Sequence, residues 1–277
     1  MRQQNIRTDQ APANVVAVHH LPADTTPTAP RVSVVIPTYN EAKNLPYVFS
    51  RLPADLHEVI VVDGRSVDDT IQVARSLRPD VRIVLQTRAG KGNAVACGLA
   101  EATGDIIVIL DADGSADPQK IPLFVTALTD GADFAKGTRF AVGGSSSTNI
   151  TLVRAWGNRW LNRTANFLYG TRYTDLCSGY NALWSRCLPA LELDPSPRQG
   201  AGRAWGDGFE IETLINTRMA KARLRITEVP SSERLRSHGG DNLYTWRYGG
   251  RVLRALLVER LNHKGSPLPQ GRTGPGA

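Results

Sequence analysis

The sequence predicts an α/β protein, a mostly parallel sheet with helices on both faces, forming a single domain that ends in an amphipathic helix. Three observations carry this expectation. Short β-branched runs alternate with helical segments, and strand–helix alternation with helices of roughly 10–15 residues marks parallel sheets. The 277 residues suffice for one large core. The last helical segment has an apolar stripe beside a basic one.

Taken in order, residues 1–30 are rich in Pro, Thr, Ala and Gln without a period and read as a disordered arm. Strands are expected at 32–37, 58–63, 81–86 and 105–111, each followed by a helix, near 43–51, 68–78, 91–102 and 118–129. The run Val32-Ser33-Val34-Val35-Ile36 typifies the strands. Beyond them, Gly143-Gly144-Ser145-Ser146-Ser147 signals a loop and 150–169 a helix. Residues Asp194 to Gly200 form a Pro-rich loop long enough to be a mobile functional element. A helix over 208–221, a strand over 224–229 and a helix over 243–262 complete the domain, which spans 31–262. Residues 263–277 read as a frayed tail.

Composition narrows the class. The chain holds 33 Lys+Arg against 26 Asp+Glu, a net +7. Residues 231–277 carry eight basic and three acidic residues, hence +5 of that excess, and the remainder is close to neutral. A basic segment of this kind suits a phosphorylated ligand, an anionic membrane surface or nucleic acid. No apolar run reaches the roughly 18–20 residues of a membrane span. The first thirty residues lack the basic start and apolar core of a secretory signal. Cys97, Cys177 and Cys187 make neither a disulfide framework nor a metal spacing. A cytoplasmic protein is expected, with peripheral contact to the inner face of the membrane.

Ligands of open parallel sheets bind beyond the carboxyl ends of the strands. There the first strand runs into Pro37-Thr38-Tyr39-Asn40-Glu41, the second into Asp63-Gly64-Arg65-Ser66 and the fourth into Asp111-Ala112-Asp113. Each has a plain reading as a turn or a helix start, Asp68 and Asp69 included, but three together point to a site. Alternation along an extended chain would point Asp111 and Asp113 the same way, with Ala112 turned aside. Two such carboxylates repel unless a cation lies between or beside them, and hard oxygens suit Mg²⁺ or Mn²⁺. Arg88-Ala89-Gly90-Lys91-Gly92-Asn93 lacks the spacing of a phosphate-cradling loop, and no G-x-G-x-x-G follows the first strand. Gly90-Lys91-Gly92 either brings amides and a lysine to a ligand or is a plain strand–helix turn.

The ordered set Ser33 to Glu41, Val61-Val62-Asp63-Gly64-Arg65-Ser66-Val67-Asp68-Asp69-Thr70, Gly90-Lys91-Gly92 and Asp111-Ala112-Asp113 resembles the motifs of family-two inverting glycosyltransferases with the GT-A type fold. Gly137-Thr138-Arg139-Phe140, Thr174 to Tyr180, Gly208-Phe209-Glu210-Ile211-Glu212 and Val229-Pro230 through Arg236 to Gly239 are similar to the polyprenyl-phosphate (dolichol-phosphate) hexosyltransferase branch. The resemblance implies a Rossmann-like sheet, with a sugar-nucleotide half at 31–140 and an acceptor half at 141–262. It implies a donor such as GDP-mannose or UDP-glucose, whose mannose or glucose passes to a polyprenyl phosphate with Mg²⁺ or Mn²⁺ as cofactor. By motif, Pro37, Tyr39, Glu41 and Asp63 would line the nucleoside pocket, and Lys91 would touch the donor. Asp111 and Asp113 would manage metal and diphosphate, while Arg139 and Arg236 would meet the acceptor phosphate or the leaving diphosphate. The family's frequent double Asp is Asp63-Gly64 here, and Asp241 stands where Ser is frequent.

A lipid phosphate is already anionic, so its attack needs no strong general base. A sugar hydroxyl would need one, and Asp175, Asp207 and Glu210 are the candidates. Asp113, Arg139, Asp175 and Glu210 thus form the expected catalytic set. Glu210 and Glu212 also read as salt-bridge partners within a helix. Arg247, Arg251 and Arg254 form the basic stripe of the last helix beside Trp246, Leu253, Leu256 and Leu257, an arrangement for an anionic membrane or for packing on the sheet. A soluble hydroxyl acceptor in polysaccharide or natural-product assembly is the alternative within the class. Outside it, a nucleotidyltransferase would need a Gly-rich signature near the first strand. A nucleic-acid-binding module would need aromatics among its basic residues, and nucleic acid is not an expected partner.

Overall fold

The computed structural model describes residues 29–140, 152–198, 203–231 and 245–262. The N-terminal arm, the Gly143–Ser147 loop, Arg236, Asp241 and the C-terminal tail lie outside them.

The expected alternation is present. Strands β1 (Val32–Thr38), β2 (Glu58–Asp63), β3 (Arg82–Leu85) and β4 (Ile106–Ile109) are each followed by a helix: α1 (Leu45–Phe49), α2 (Thr70–Leu77), α3 (Lys91–Glu101) and α4 (Ile121–Thr129). Two further strands were absent from the sequence reading, β5 (Phe134–Thr138) and β6 (Asn181–Trp184). Helix α5 (Leu152–Tyr169) separates them, and α6 (Leu188–Leu191), α7 (Ile211–Lys221), β7 (Ile226–Pro230) and α8 (Thr245–Leu261) follow.

The seven strands form one sheet in the order β3-β2-β1-β4-β6-β5-β7. All neighbours are parallel except where β6 runs against β4 and β5. Alternation of side chains divides the core. Val34, Ile36, Val59, Val61, Ile106 and Val108 face α1, α2 and α4, with Leu45, Val48, Ala74 and Phe124. Val35, Ile60, Val62, Ile107 and Ile109 face α3 and α7, with Val95, Leu99, Ile215 and Met219. Near-continuous apolar strands are thus the mark of a sheet buried on both sides. A smaller cluster joins Ala165 of α5, Tyr173 and Leu176 to Val252 and Leu256 of α8.

At the amino ends of β1 and β2, Glu58 ties four segments together. Its carboxylate accepts from Ser33 Oγ at 2.7 Å, Arg82 Nη1 at 2.6 Å, Thr103 N at 2.7 Å and Thr103 Oγ1 at 2.8 Å. Burial alone would raise this carboxyl, but the Thr103, Ser33 and Arg82 donors bring it down to about 2 from 4.5. A depressed carboxyl contributes stability that is complete above its unfolded value and lost as pH falls through the folded one. Acid unfolding should therefore steepen between about pH 4.5 and 2. In Glu58→Gln that limb should flatten, as read by thermal melting across the same range.

Candidate active site

The carboxyl ends of the parallel strands share one rim, and the chain leading into β6 returns to it. At one end of the rim, where the motifs place a nucleoside, the loops after β1 and β2 are fastened together. Asn40, in the left-handed region at φ 57°, accepts from Val67 N through Oδ1 at 2.9 Å, and its own N–H donates to Ser66 Oγ at 2.9 Å. Glu41 N donates to Thr70 Oγ1 and Ala42 N to Asp68, so Asp68, not Asp69, ties the start of α2 to the first loop. The Glu41 carboxylate accepts from Asn44 Nδ2 at 2.6 Å. Asp63 is buried; Oδ2 accepts from Ser66 N, while Oδ1 has no partner among the described residues. Beside it, the Tyr39 ring is 63% exposed, and Pro37 is half-buried. A Cβ on Gly64 would stand 3.0 Å from Thr38 O and 3.3 Å from the Tyr39 ring, so the departure from the double Asp sits where a side chain would press on the first loop.

The acidic pair leaves the sheet differently from the sequence expectation. β4 ends at Ile109, and the chain turns at Ala112, so strict alternation does not govern Asp113. Ala112 is buried in the core, and Asp113 Oδ1 accepts from Ser115 N at 2.9 Å. The cation beside Asp111 is the protein's own. Lys91 Nζ lies 2.7 Å from Asp111 Oδ1 and 2.7 Å from Glu212 Oε1. Burial would lower the Lys91 ammonium, but the Asp111 and Glu212 carboxylates outweigh it and hold the group above its ordinary value. Glu212 therefore pairs across the molecule, not along its helix.

Gly90-Lys91-Gly92 resolves into a close-approach motif. A Cβ on Gly92 would meet Gly206 O at 1.7 Å, and one on Gly90 would meet Asp207 O at 2.1 Å. Gly90 also adopts φ 132°, and the Gly92 amide is spent on Asp207 O at 2.8 Å. The motif thus brings a lysine to the rim while its Gly92 amide serves the fold. Asp207 is buried and forked by Arg88 Nε at 2.9 Å and Nη2 at 2.8 Å. Arg88 reaches on to the carbonyls of Asp194 and Ser196, and Thr87 Oγ1 donates to Pro195 O at 2.5 Å. The described part of the expected mobile loop is consequently pinned to the start of α3.

Arg139, just past β5, is locked onto Asp175 by Nε at 2.6 Å, Nη2 at 2.8 Å and its own amide at 3.2 Å. Asp175 is fully buried; burial pushes its carboxyl up, but the Arg139 bonds and charge bring it net below the usual value. Asp175 and Asp207, two of the three expected bases, thus both sit under arginines. The third, Glu210, precedes α7 and turns back to accept from Gly208 N at 3.2 Å. Arg236 lies outside the described residues.

On α8, Arg251 and Arg254 are exposed, as expected of the basic stripe, while the described apolar residues split: Leu256 is buried with Val252, and Leu257 is exposed. Arg254 stacks over the Trp205 ring at 5.6 Å. Sequence reasoning did not single out the exposed face of α5. That helix exposes Arg159, Trp160, Arg163 and Phe167 and contains no acidic residue.

Residues 33–188, more than half of the chain, match the model of glycosyl transferase family 2. The chain belongs to that family. It is 32% identical to glycosyltransferase AglJ of Haloferax volcanii over 237 residues, 83% of this chain and 72% of the relative. It is 34% identical to dolichol-phosphate mannosyltransferase of Pyrococcus furiosus over 77% of this chain but only 59% of that enzyme, less than two thirds of its length. Undecaprenyl-phosphate mannosyltransferase of Micrococcus luteus is 32% identical over 72% of this chain and 82% of the relative. Among solved structures, glucosyl-3-phosphoglycerate synthase of Mycobacterium tuberculosis superposes with a TM-score of 0.61 at 24% identity, over 83% of this chain and 80% of that one. The fold of this family-two chain is accordingly GT-A like, as the motifs implied. No helix among the described residues is long and apolar enough to cross a membrane.

Proposed function

We propose that this family-two chain transfers a hexose, mannose or glucose, from a nucleoside-diphosphate sugar to a polyprenyl phosphate. The observation that carries the acceptor is the state of the carboxylates. Asp175 and Asp207 are buried and held by Arg139 and Arg88, and Glu210, the third candidate, turns its carboxylate back onto Gly208 N. A hydroxyl nucleophile would need a base to take its proton, whereas a phosphate arrives already ionised. The names of the Pyrococcus and Micrococcus relatives point the same way.

The rim suits the donor. Asp63 Oδ1, without a partner among the described residues, would accept from a base N–H beside the exposed Tyr39, with Pro37 and Glu41 completing the pocket. No group of three or more His, Cys, Asp or Glu that could hold a metal occurs among the described residues. Two carboxylates, Asp111 and Asp113, fit Mg²⁺ or Mn²⁺, ions that take one or two protein carboxylates and complete their shell with water and substrate phosphates. Complexes of the mycobacterial synthase contain Mn²⁺ with UDP-glucose, or Mg²⁺ with UDP. Bound there, the ion would offset charge on the departing diphosphate. The chain's own part is to align the attacking phosphate oxygen and to keep two anions from repelling one another; Arg139, whose Nε and Nη2 are engaged by Asp175, would add positive charge there rather than a free fork.

The exposed Arg159, Trp160, Arg163 and Phe167 of α5 and the exposed Arg251 and Arg254 of α8 support docking on an anionic membrane, each basic residue near the surface contributing about 1 kcal/mol. The test is a panel of GDP- and UDP-sugars incubated with Mg²⁺ or Mn²⁺ and polyprenyl phosphate, followed by lipid extraction. Labelled sugar in the lipid phase is the expected result. Sugar transfer only to water-soluble hydroxyl acceptors would overturn it. Vesicles containing anionic lipid should float with the wild type at low salt and float less with Arg251→Glu/Arg254→Glu.

A further inference from the structure

Lys91, Asp111 and Glu212 come from three distant parts of the chain, the first turn of α3, the end of β4 and the first turn of α7. They meet against Gly179, where a Cβ would stand 2.7 Å from Asp111 Oδ2 and 3.2 Å from Lys91 Nζ. The absence of a side chain at 179 is what lets the cluster close. Glu212 is buried, accepts from Lys91 through Oε1 and leaves Oε2 without a partner among the described residues. A buried carboxylate with one oxygen on an ammonium and the other without a partner among the described residues is a costly arrangement for packing alone. It makes sense as a hold on the lysine.

We propose that Glu212 is a positioning residue for sugar transfer, acting through Lys91 to fix Asp111 at the donor. A lysine is flexible, and one bound only to Asp111 would follow any anion that entered the rim. With Glu212 on its far side, Lys91 is anchored to the body of the fold. It can then share its charge between Asp111 and an arriving diphosphate without moving off. This inference rests on the reading that Asp111 faces the donor.

The test is a double-mutant cycle of Lys91→Met and Glu212→Gln in the full chain, with kcat, donor KM and melting temperature as readouts, beside Asp111→Asn. Glu212→Gln should lower kcat roughly 10–100-fold, the scale of a misplacement of about 1 Å, with a smaller change in KM. Lys91→Met should cost at least as much and should also lower the melting temperature, because it strands Glu212 without a counter-charge. Adding Glu212→Gln to Lys91→Met should restore melting and cost no further activity, since Glu212 acts through the lysine. Wild-type kcat in Glu212→Gln, or losses that multiply independently in the double variant, would overturn the proposal. Should Glu212→Gln fail to fold, Glu212→Asp takes its place, with an intermediate kcat expected and an unchanged one overturning it. An active Asp111→Asn would remove Asp111 from the donor site and fail the underlying reading. An inactive Asp111→Asn beside a fully active Glu212→Gln would fail the positioning role alone.

Discussion

Asp113→Ala should abolish sugar transfer while the protein remains folded. Its carboxylate stands at the turn after β4, half-buried, with Oδ1 on Ser115 N. Losing one turn bond costs about 1 kcal/mol, a modest part of a typical 5–15 kcal/mol. The loss to the reaction is larger, because Asp113 is proposed to hold the divalent ion together with Asp111. Stabilisation of a leaving diphosphate by such an ion is worth several kcal/mol, which corresponds to roughly 10³-fold or more in turnover. Release of nucleoside diphosphate, compared with an unchanged circular dichroism spectrum, reads both halves of the expectation. Wild-type activity in excess EDTA would remove the metal role altogether.

Arg139→Ala should be the most destabilising of the substitutions considered. The guanidinium makes two bonds to a carboxylate that water does not reach. Removing one member of a buried pair costs about 3–5 kcal/mol, since the other is left charged and uncompensated. The Arg139 amide keeps one bond to Asp175 in the variant, which tempers the loss. Asp175 is held below its ordinary value, so the pair contributes fully above the usual carboxylate range and is lost as pH falls through the lowered one. In Arg139→Ala that contribution is gone and burial would raise the Asp175 carboxyl, so the stability gap to the wild type should shrink as pH falls through the carboxylate range. Asp175→Asn in that background should recover part of the melting temperature and none of the activity, separating support of the fold from contact with phosphate. Equal activity of Arg139→Ala and an exposed-face control such as Arg75→Ala would take Arg139 out of the site.

The four βα units were legible because each strand is a short apolar run and each helix begins at a turn residue. β5 and β6 were not. The segment Phe134-Ala135-Lys136-Gly137-Thr138 carries a lysine and a glycine at its centre and shows no alternation, yet all five residues are buried. Lys136 is enclosed, and burial lowers its ammonium. β6 is only four residues long. Both exist because of their neighbours, which a local pattern does not contain. The same applies to the rim. The sequence marks Asp111, Asp113 and Lys91 as chemically apt, but pairs such as Lys91 with Glu212 or Arg139 with Asp175 are created by the topology. What could have been seen is Gly179, quoted with its motif, whose lack of a side chain signals a close approach.

The position of β6 bears on how the protein is made. β6 alone bridges β4 to β5, pairing antiparallel with β4 from Ile106 opposite Trp184 to Ile109 opposite Asn181. A nascent chain that has emerged only as far as α4 can pair β1 to β4 among themselves. It must then hold the far edge of β4, four apolar residues in a row, open through the synthesis of α5. Such an edge is a template for pairing with another copy. Translation pausing or truncation between residues 130 and 184 should therefore yield inclusion bodies rather than a soluble half-enzyme, and chaperone capture during synthesis should concentrate in that window.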